Sequence, residues 1–270
     1  MQDTKIEFFD SNFWFGENYL SSKYTLLEDD TLKILIKRKE DLNTTHTLIT
    51  NLLGFYSSPK AGNDQISRIL AREDFKLVGT FGVLFMEHEY FFKTTSFGNW
   101  IEKKHKEGFR LLRLAPKTHK YSYDASLFNS FYDILNYYNF PIIINIEEMD
   151  ITGNKDIEWE KLIQIADSYE NIPIILDGGA SKELMYNSYL FSVLNNSSNI
   201  FIETHDLLGF NQIEDLTEFD SAERLIFGSY FPFFQSELSV SRILNSAIKI
   251  KDKKKIASEN LISIIDEIAI

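Results

Sequence analysis

The chain has 270 residues, no cysteine, and 40 acidic side chains against 28 basic ones, which gives a formal net charge of −12. This acidic balance argues against a nucleic-acid partner or an anionic membrane surface, because both require clustered lysine and arginine. The lack of cysteine excludes disulfides, thiolate metal ligands and a cysteine nucleophile. Neither an export signal nor an apolar run of membrane-spanning length is evident, so a cytoplasmic protein is expected.

Short apolar runs recur along the chain and predict eight strands. In chain order these are Ile6–Phe9, Thr47–Thr50, Leu77–Leu84, Arg110–Leu114, Ile142–Ile146, Ile174–Leu176, Ile200–Glu203 and Leu225–Gly228. Several are nearly uninterrupted by polar residues, which is typical of strands buried on both faces of a parallel sheet. Between them, apolar residues at helical spacing predict helices over Ser126–Tyr138, Asp156–Tyr169 and Ser181–Leu194.

The alternation of strands and helices predicts an α/β fold. Eight such strands favour a (β/α)₈ TIM barrel, formed by residues 1–270 as a single domain. The length agrees with this fold, since such barrels typically have about 250 residues. A doubly wound open sheet is the alternative, but no glycine-rich phosphate-binding turn follows the first strand.

In a parallel barrel the loops after the strands carry the functional residues, so side chains at the predicted strand ends are the site candidates. They are Asn12, Trp14, Arg113, Lys117, His119, Asn145, Glu147, Asp177, Glu203, His205 and Tyr230. We expect Asp177, His205 and Glu147 to be catalytic, because grouped carboxylates and histidines suit acid–base chemistry. Strand parity favours Glu147 over Glu148. The others are candidate ligand-binding residues, with Arg113 suited to a carboxylate or phosphate.

Less specific roles remain open for several of these residues. Arg113 is equally suited to an ion pair with Glu147 or Asp177. His119 and His205 have three alternatives: proton transfer, a rebuilt cation site with Glu147, Asp177 or Glu203, or ordinary hydrogen bonding within the loops. The sequence does not decide among them.

The chain resembles the amidohydrolase superfamily in three segments. Arg224-Leu-Ile-Phe-Gly-Ser-Tyr-Phe-Pro232 is similar to that family's strand-eight segment RLLFGSDFP. Asp10 and Gly16 match the two ends of its opening motif, D-x-H-x-H-x-G, and Gly108–Pro116 is similar to its strand-four segment. The resemblance covers residues 5–268 and implies a TIM barrel with hydrolase chemistry at a metal site.

The positions of that family's metal ligands carry other residues in this chain. The two opening histidines correspond to Asn12 and Trp14, and the strand-five histidine corresponds to Asn145. The strand-eight aspartate corresponds to Tyr230, which leaves Asp177, at or beside the strand-six position, as a single carboxylate. Because zinc requires three or four converging donors, we predict that the family's metal site does not form and that no metal or other cofactor is bound.

Two functional hypotheses follow. The favoured one is a metal-free pseudoenzyme or ligand-binding protein that takes a small polar or carboxylated molecule and works in a homo- or hetero-oligomer. The alternative is a metal-independent hydrolase of a small amide, ester or lactone that uses carboxylate and histidine acid–base chemistry. Neither hypothesis involves nucleic acid or a membrane.

Overall fold

A computed structural model describes residues 5–17, 24–91, 94–152, 157–185 and 187–270. Within them, eight strands form one sheet in chain order, and every neighbouring pair is parallel. The strands are β1 (Phe8–Phe15), β2 (Thr44–Asn51), β3 (Thr80–Phe85), β4 (Phe109–Leu114), β5 (Ile142–Asn145), β6 (Ile174–Asp177), β7 (Ile200–Glu203) and β8 (Leu225–Ile226).

The sheet closes between β1 and the segment that follows β8. The carbonyl oxygen of Phe227 accepts from the backbone N–H of Ser11 at 3.1 Å and from its hydroxyl at 2.9 Å. The carbonyl oxygen of Phe231 accepts from the N–H of Trp14 at 2.7 Å. The predicted (β/α)₈ barrel is therefore confirmed, and the open doubly wound sheet is excluded.

Helices separate the strands. They are α1 (Glu28–Leu42), α2 (Leu52–Tyr56), α3 (Pro59–Leu70), α4 (Glu73–Leu77), α5 (Thr94–Glu107), α6 (Pro116–His119), α7 (Asn129–Tyr138), α8 (Ile146–Met149), α9 (Trp159–Ser168), α10 (Tyr189–Asn196), α11 (Gln212–Phe219), α12 (Ser236–Asn245), α13 (Ile250–Lys254) and α14 (Asn260–Asp266). In the described part of the chain, each helix is too short or too polar to cross a lipid bilayer.

The three predicted helices begin later than expected. Helices α7 and α9 start at Asn129 and Trp159, and Asp156, the predicted start of the second, lies outside the described residues. Helix α10 starts only at Tyr189. Ahead of it, the N–H of Leu184 donates to the carboxylate of Asp206 at 2.9 Å, so a tertiary contact takes the place of a helical one.

Alternation along the strands positions the site. Apolar side chains fill the lower barrel, among them Leu111 of β4, Ile143 of β5 and Ile175 of β6, all buried. Because side chains two residues apart share one face of a strand, the next inward position on each strand lies toward its carboxyl end. Those positions carry Arg113, Asn145 and Asp177 in turn. A polar layer therefore lies directly above the apolar core.

Strand β1 is longer than predicted, because it continues through Asp10, Ser11 and Asn12 to Phe15. These three polar residues interrupt the apolar pattern, yet all are fully buried. Their hydrogen-bond partners are remote in sequence, so the local pattern of apolar residues does not predict that these three residues belong to a buried strand. Asp10, for example, binds Arg38 at 2.5 Å.

Candidate functional site

Five buried polar side chains meet at the centre of the barrel, and we call them the central cluster: Asn12, Arg113, Asp177, Glu203 and His205. Arg113 Nη1 donates to Asp177 Oδ2 at 2.6 Å, and Nη2 donates to Asn12 Oδ1 at 2.9 Å. Asn12 Nδ2 donates in turn to Glu203 Oε2 at 3.0 Å. One hydrogen-bond network therefore joins β1, β4, β6 and the end of β7.

His205 is held on both sides of its ring. Its Nδ1 faces Glu203 Oε2, its backbone N–H donates to Glu203 Oε1 at 2.7 Å, and its Nε2 donates to the carbonyl oxygen of Gly179 at 2.8 Å. Burial alone would lower the pKa of His205, but Glu203, with a further contribution from Asp177, outweighs burial and raises this pKa to about 9. In the absence of a metal, the ring is therefore a cation at neutral pH.

Arg113 lies between an aromatic ring and a carboxylate. The carbon of its guanidinium group is 4.6 Å from the centre of the Trp14 ring, and Trp14 Nε1 donates to Asn12 Oδ1 at 2.9 Å. Burial disfavours the charge on Asp177, but Arg113 and then His205 outweigh this effect and lower the pKa of Asp177. Arg113 Nε has no hydrogen-bond partner among the described residues. Of the two predicted pairings of Arg113, the one with Asp177 is formed.

Asp177, Glu203 and His205 also form a donor set for a metal ion. One ligand atom of each lies within 4.8 Å of the others, and all three side chains are buried. Two carboxylates and one imidazole suit a divalent ion such as manganese or zinc, and catalytic metal sites commonly use three protein ligands. The residues therefore fit such an ion.

The prediction that no metal site remains, and with it the metal-free pseudoenzyme, is wrong. The error came from assigning ligands by their place in the family motif. Asn12, Trp14, Asn145 and Tyr230 do carry poor ligands. The barrel instead brings together Asp177 and two residues from the end of β7, Glu203 and His205, which corresponds to the rebuilt cation site considered for His205.

A cavity of about 390 Å³ adjoins the central cluster, and we call it the mouth pocket. Its lining residues are Trp14, Leu52, Phe55, Tyr56, Lys117, Thr118, Lys120, Asn145, Glu147, Glu148, Ala180, Tyr230 and Phe233. Trp14 packs against Arg113, and the Tyr230 ring stacks on His205 with centroids 4.3 Å apart. One layer of aromatic rings therefore separates the pocket from the cluster. A larger cavity, about 560 Å³, lies between α11 and α12 and includes none of the predicted site residues.

Tyr230 has an unusual backbone. Its φ is +52°, a left-handed conformation that side chains other than glycine adopt at a cost of about 1–3 kcal/mol and that is enriched at functional sites. Burial raises the pKa of the Tyr230 hydroxyl well above its usual value. The residue that replaces the family's strand-eight aspartate is thus a neutral ring held over His205.

Glu147 lies in the pocket wall. Strand β5 ends at Asn145, whose side chain caps α8 by accepting from the N–H of Glu147 at 2.8 Å. The parity argument against Glu148 is therefore wrong, because both glutamates lie on a helical turn and both line the pocket. Glu147 Oε1 accepts from the N–H of Ala180 at 3.2 Å, whereas Glu148 binds the N–H and hydroxyl of Thr118 at 2.8 and 2.6 Å.

The two predicted residues beyond β4 have different environments. Lys117 lines the pocket, is about one-third exposed, and reaches Asp150 Oδ2 only at 3.4 Å. His119 instead donates from Nε2 to the carbonyl oxygens of Phe55 and Gly54 at 2.9 and 3.1 Å, and burial lowers its pKa. Its contacts tie α6 to α2, which corresponds to the loop hydrogen bonding considered for it.

Sequence reasoning missed Asp206. This residue is fully buried, its Oδ1 has no hydrogen-bond partner in the described ranges, and burial raises its pKa to about 6. The available signal was Gly178, where a Cβ atom would lie 2.3 Å from Asp206 Cβ. At the neighbouring Gly179, φ is +68° and a Cβ would clash with Asn145. The two glycines therefore let the β6 loop pack closely against both side chains.

Comparison with known proteins finds structural relatives only: no family model and no curated protein matches the sequence. A 5-carboxyvanillate decarboxylase from Novosphingobium aromaticivorans, solved with manganese, has a TM-score of 0.72 at 11% identity, covering 98% of this chain and 97% of its own. A dihydroxybenzoic acid decarboxylase from Polaromonas sp. JS666, with manganese and 2-nitroresorcinol, scores 0.69 at 13% identity, covering 97% of both chains.

A proposed amidohydrolase from Staphylococcus aureus scores 0.70 at 11% identity, covering 97% of this chain and all of its own. Identities this low establish the fold and nothing finer. They agree with the resemblance carried by the segment from Arg224 to Pro232. The chain therefore has the TIM-barrel fold that these proteins share.

Proposed function

We propose that this protein is an enzyme that decarboxylates a small carboxylated aromatic molecule bound in the mouth pocket. The observation that carries the proposal is the position of this pocket against the buried set Asp177, Glu203 and His205, with Tyr230 in contact with both. A concave pocket with convergent polar and ionisable groups is the usual arrangement of an active site.

The pocket walls support an aromatic, anionic substrate. Trp14, Tyr56 and Tyr230 offer ring faces and edges, and each aromatic pair contributes about 0.5–1.5 kcal/mol beyond area burial. Lys117 offers a cation that its 3.4 Å contact with Asp150 only partly neutralises. The volume, about 390 Å³, is in the range of small-molecule sites. The two named decarboxylases, whose names describe carboxylated aromatic substrates, are consistent with this class.

The chemistry divides between the cluster and the pocket wall. Decarboxylation replaces a carboxylate on carbon with a proton, so a group in the pocket must deliver that proton. Glu147 lines the pocket and is suited to this transfer, while Asp177, Glu203 and His205 lie below the substrate as a set of metal donors. These three residues would hold a divalent ion such as manganese, which supplies Lewis-acid polarisation when bound.

Hydrolysis of a small amide, ester or lactone is the second candidate. It is favoured by Glu147, a carboxylate in the pocket wall that can act as general base toward water. Both candidates use the same residues, so the products distinguish them. A small-molecule partner is common to both, whereas the expected self-association and cytoplasmic location stay predictions.

The test is an activity screen of the purified protein, once with MnCl₂ and once with EDTA. Release of CO₂ would be measured from 2,6-dihydroxybenzoate, 5-carboxyvanillate and related acids, and acid release from amides, esters and lactones. The Glu147→Gln variant should lose about 100-fold or more in turnover, as expected for a general acid–base residue. Glu170→Gln, at an exposed position away from the pocket, is the control. Failure of every carboxylated aromatic to bind or react would contradict the proposal.

A further inference from the structure

Arg113 touches the same carboxylate that a metal ion would use. Its Nη1 is 2.6 Å from Asp177 Oδ2, while Asp177 Oδ1 is 3.8 Å from His205 Nδ1. A divalent ion bound by Asp177, Glu203 and His205 would therefore share Asp177 with a guanidinium group. Arginine cannot relieve this conflict by losing its proton, because a guanidinium group stays protonated in proteins.

The charges of such a site do not balance. The carboxylates of Asp177 and Glu203 cancel the two charges of a divalent ion, and Arg113 then leaves one positive charge in a fully buried place. The neighbouring ionisable groups Asp206 and Arg242 do not correct this, because one carboxyl group and one guanidinium group together add no net negative charge. An uncompensated buried charge is costly. Metal binding alone should therefore be weak.

A carboxylate in the mouth pocket supplies the missing negative charge. The charged residues that line the pocket do not, because Lys117 and Lys120 are matched by Glu147 and Glu148. Asp150, which contacts Lys117 at 3.4 Å, is not among the lining residues. Only one layer of rings separates the two sites: Trp14 against Arg113, and Tyr230 against His205. A carboxylate in the pocket and the charge of Arg113 would be separated by little more than one aromatic ring, and opposite charges attract strongly at short range in a low-dielectric interior.

We infer that Arg113 couples the two sites, so that a divalent ion and a carboxylate ligand each bind more tightly in the presence of the other. The inference rests on the proposed function and goes beyond it by assigning the metal site a dependence on its substrate. Arg113 acts here as a positioning residue: it contacts the metal donor and sets the charge that the substrate must cancel.

Wild-type protein alone can test this coupling. Binding of Mn²⁺ would be followed by the electron paramagnetic resonance signal of the free ion, in the presence of benzoate or of benzamide, its neutral analogue. Benzoate should tighten Mn²⁺ binding about tenfold or more, a typical allosteric coupling, and benzamide should have no effect. By linkage, Mn²⁺ should tighten benzoate binding by the same factor. Equal Mn²⁺ affinity with both compounds, or no Mn²⁺ binding with either, would overturn the inference.

Three variants assign the effect to Arg113. Arg113→Met should bind Mn²⁺ more tightly than wild type without benzoate and should lose the benzoate effect, whereas Arg113→Lys, which keeps the charge, should retain it. Arg38→Met is the matched control, because it removes an arginine from the other buried aspartate pair, at Asp10, and should keep the coupling. A benzoate effect that persists in Arg113→Met would contradict the inference. If Arg113→Met does not fold, the wild-type comparison and Arg113→Lys still decide.

Benzoate titration in EDTA separates this inference from the proposed function. Benzoate that binds in EDTA but is indifferent to Mn²⁺ would overturn the coupling and leave the proposed function intact. Benzoate that binds under neither condition would overturn both.

Discussion

Two buried arginine–aspartate pairs lie in the described part of this barrel, and they have different surroundings. The seam pair is Arg38 and Asp10, 2.5 Å apart, and the centre pair is Arg113 and Asp177, 2.6 Å apart. Both aspartates are fully buried, and both arginines lie near an aromatic ring, 5.1 Å from Phe13 for Arg38 and 4.6 Å from Trp14 for Arg113. As isolated ion pairs they are nearly identical.

Their neighbours differ. At the seam, Asp10 accepts from the N–H and hydroxyl of Ser229 at 2.8 and 2.5 Å, which ties β1 to the chain after β8 where the barrel closes. At the centre, Asp177 adjoins His205 beneath the mouth pocket. Burial and ion pairing alone therefore do not identify a functional site. Additional ionisable groups and an adjoining cavity are what make the centre the candidate site.

The largest expected effect is at the seam. Arg38→Met leaves the Asp10 carboxylate buried without its cation, which should lower the free energy of unfolding by about 3–5 kcal/mol. Addition of Mn²⁺ should restore none of this loss, since Asp10 is outside the metal donor set. Urea unfolding with and without MnCl₂ measures both quantities. Arg68→Met, an exposed arginine, should change stability by no more than about 0.5 kcal/mol.

Breaking the centre pair should destabilise the protein by a similar amount, but a divalent ion should restore part of the lost stability. In EDTA, Arg113→Met should also cost about 3–5 kcal/mol, because Asp177 loses its cation. Here a divalent ion can take over that role, and a metal concentration 100 times its Kd would return about 2.7 kcal/mol. The same urea titrations provide the measurement. Equal recovery in Arg38→Met and Arg113→Met would remove the distinction between the two pairs.

The free energy of unfolding should depend on pH through the centre and not through the seam, and this effect should be somewhat smaller than the two above. The pKa of His205 is raised to about 9 in the folded protein, since Glu203 and Asp177 outweigh the opposing effect of burial. The stability contributed by its charge is therefore complete below the unfolded pKa of about 6.5 and is lost as pH rises through about 9. We expect a loss of about 2–3 kcal/mol between pH 6.5 and 9 in EDTA. His205→Gln should flatten this slope and Arg38→Met should not; a slope unchanged in His205→Gln would refute the assignment.

The barrel could be predicted because its strands are largely apolar and locally distinct. Strand β7 has the predicted bounds, Ile200–Glu203, and β4, β5 and β6 differ from prediction by one residue at one end. Strand β1 was cut short because Asp10 and Asn12 look like loop residues until their partners, Arg38 and Glu203, are known. Those partners come from other parts of the chain.

For the candidate site, the position of the side chains at one rim of the barrel could be predicted, but their hydrogen-bond pairing could not. Arg113, Asp177 and Glu203 follow from strand ends, because the carboxyl ends of parallel strands meet at one rim. Whether Arg113 pairs with Glu147 or Asp177 depends on the three-dimensional positions of the side chains, which the sequence alone does not give. The metal donor set was one of the alternatives for His205, but the sequence could not favour it, because only the folded barrel brings Asp177 beside Glu203 and His205.

The most direct test of the central claim is anomalous diffraction from crystals grown with MnCl₂ and benzoate. We predict one manganese peak bound by Asp177, Glu203 and His205. The benzoate carboxylate should lie in the mouth pocket, either on the far side of Tyr230 or in the space that the Tyr230 ring leaves if it moves. A manganese ion bound only elsewhere, for example by Glu147 and Glu148, or a central cluster that keeps its closed hydrogen-bond network while benzoate binds outside the pocket, would contradict it.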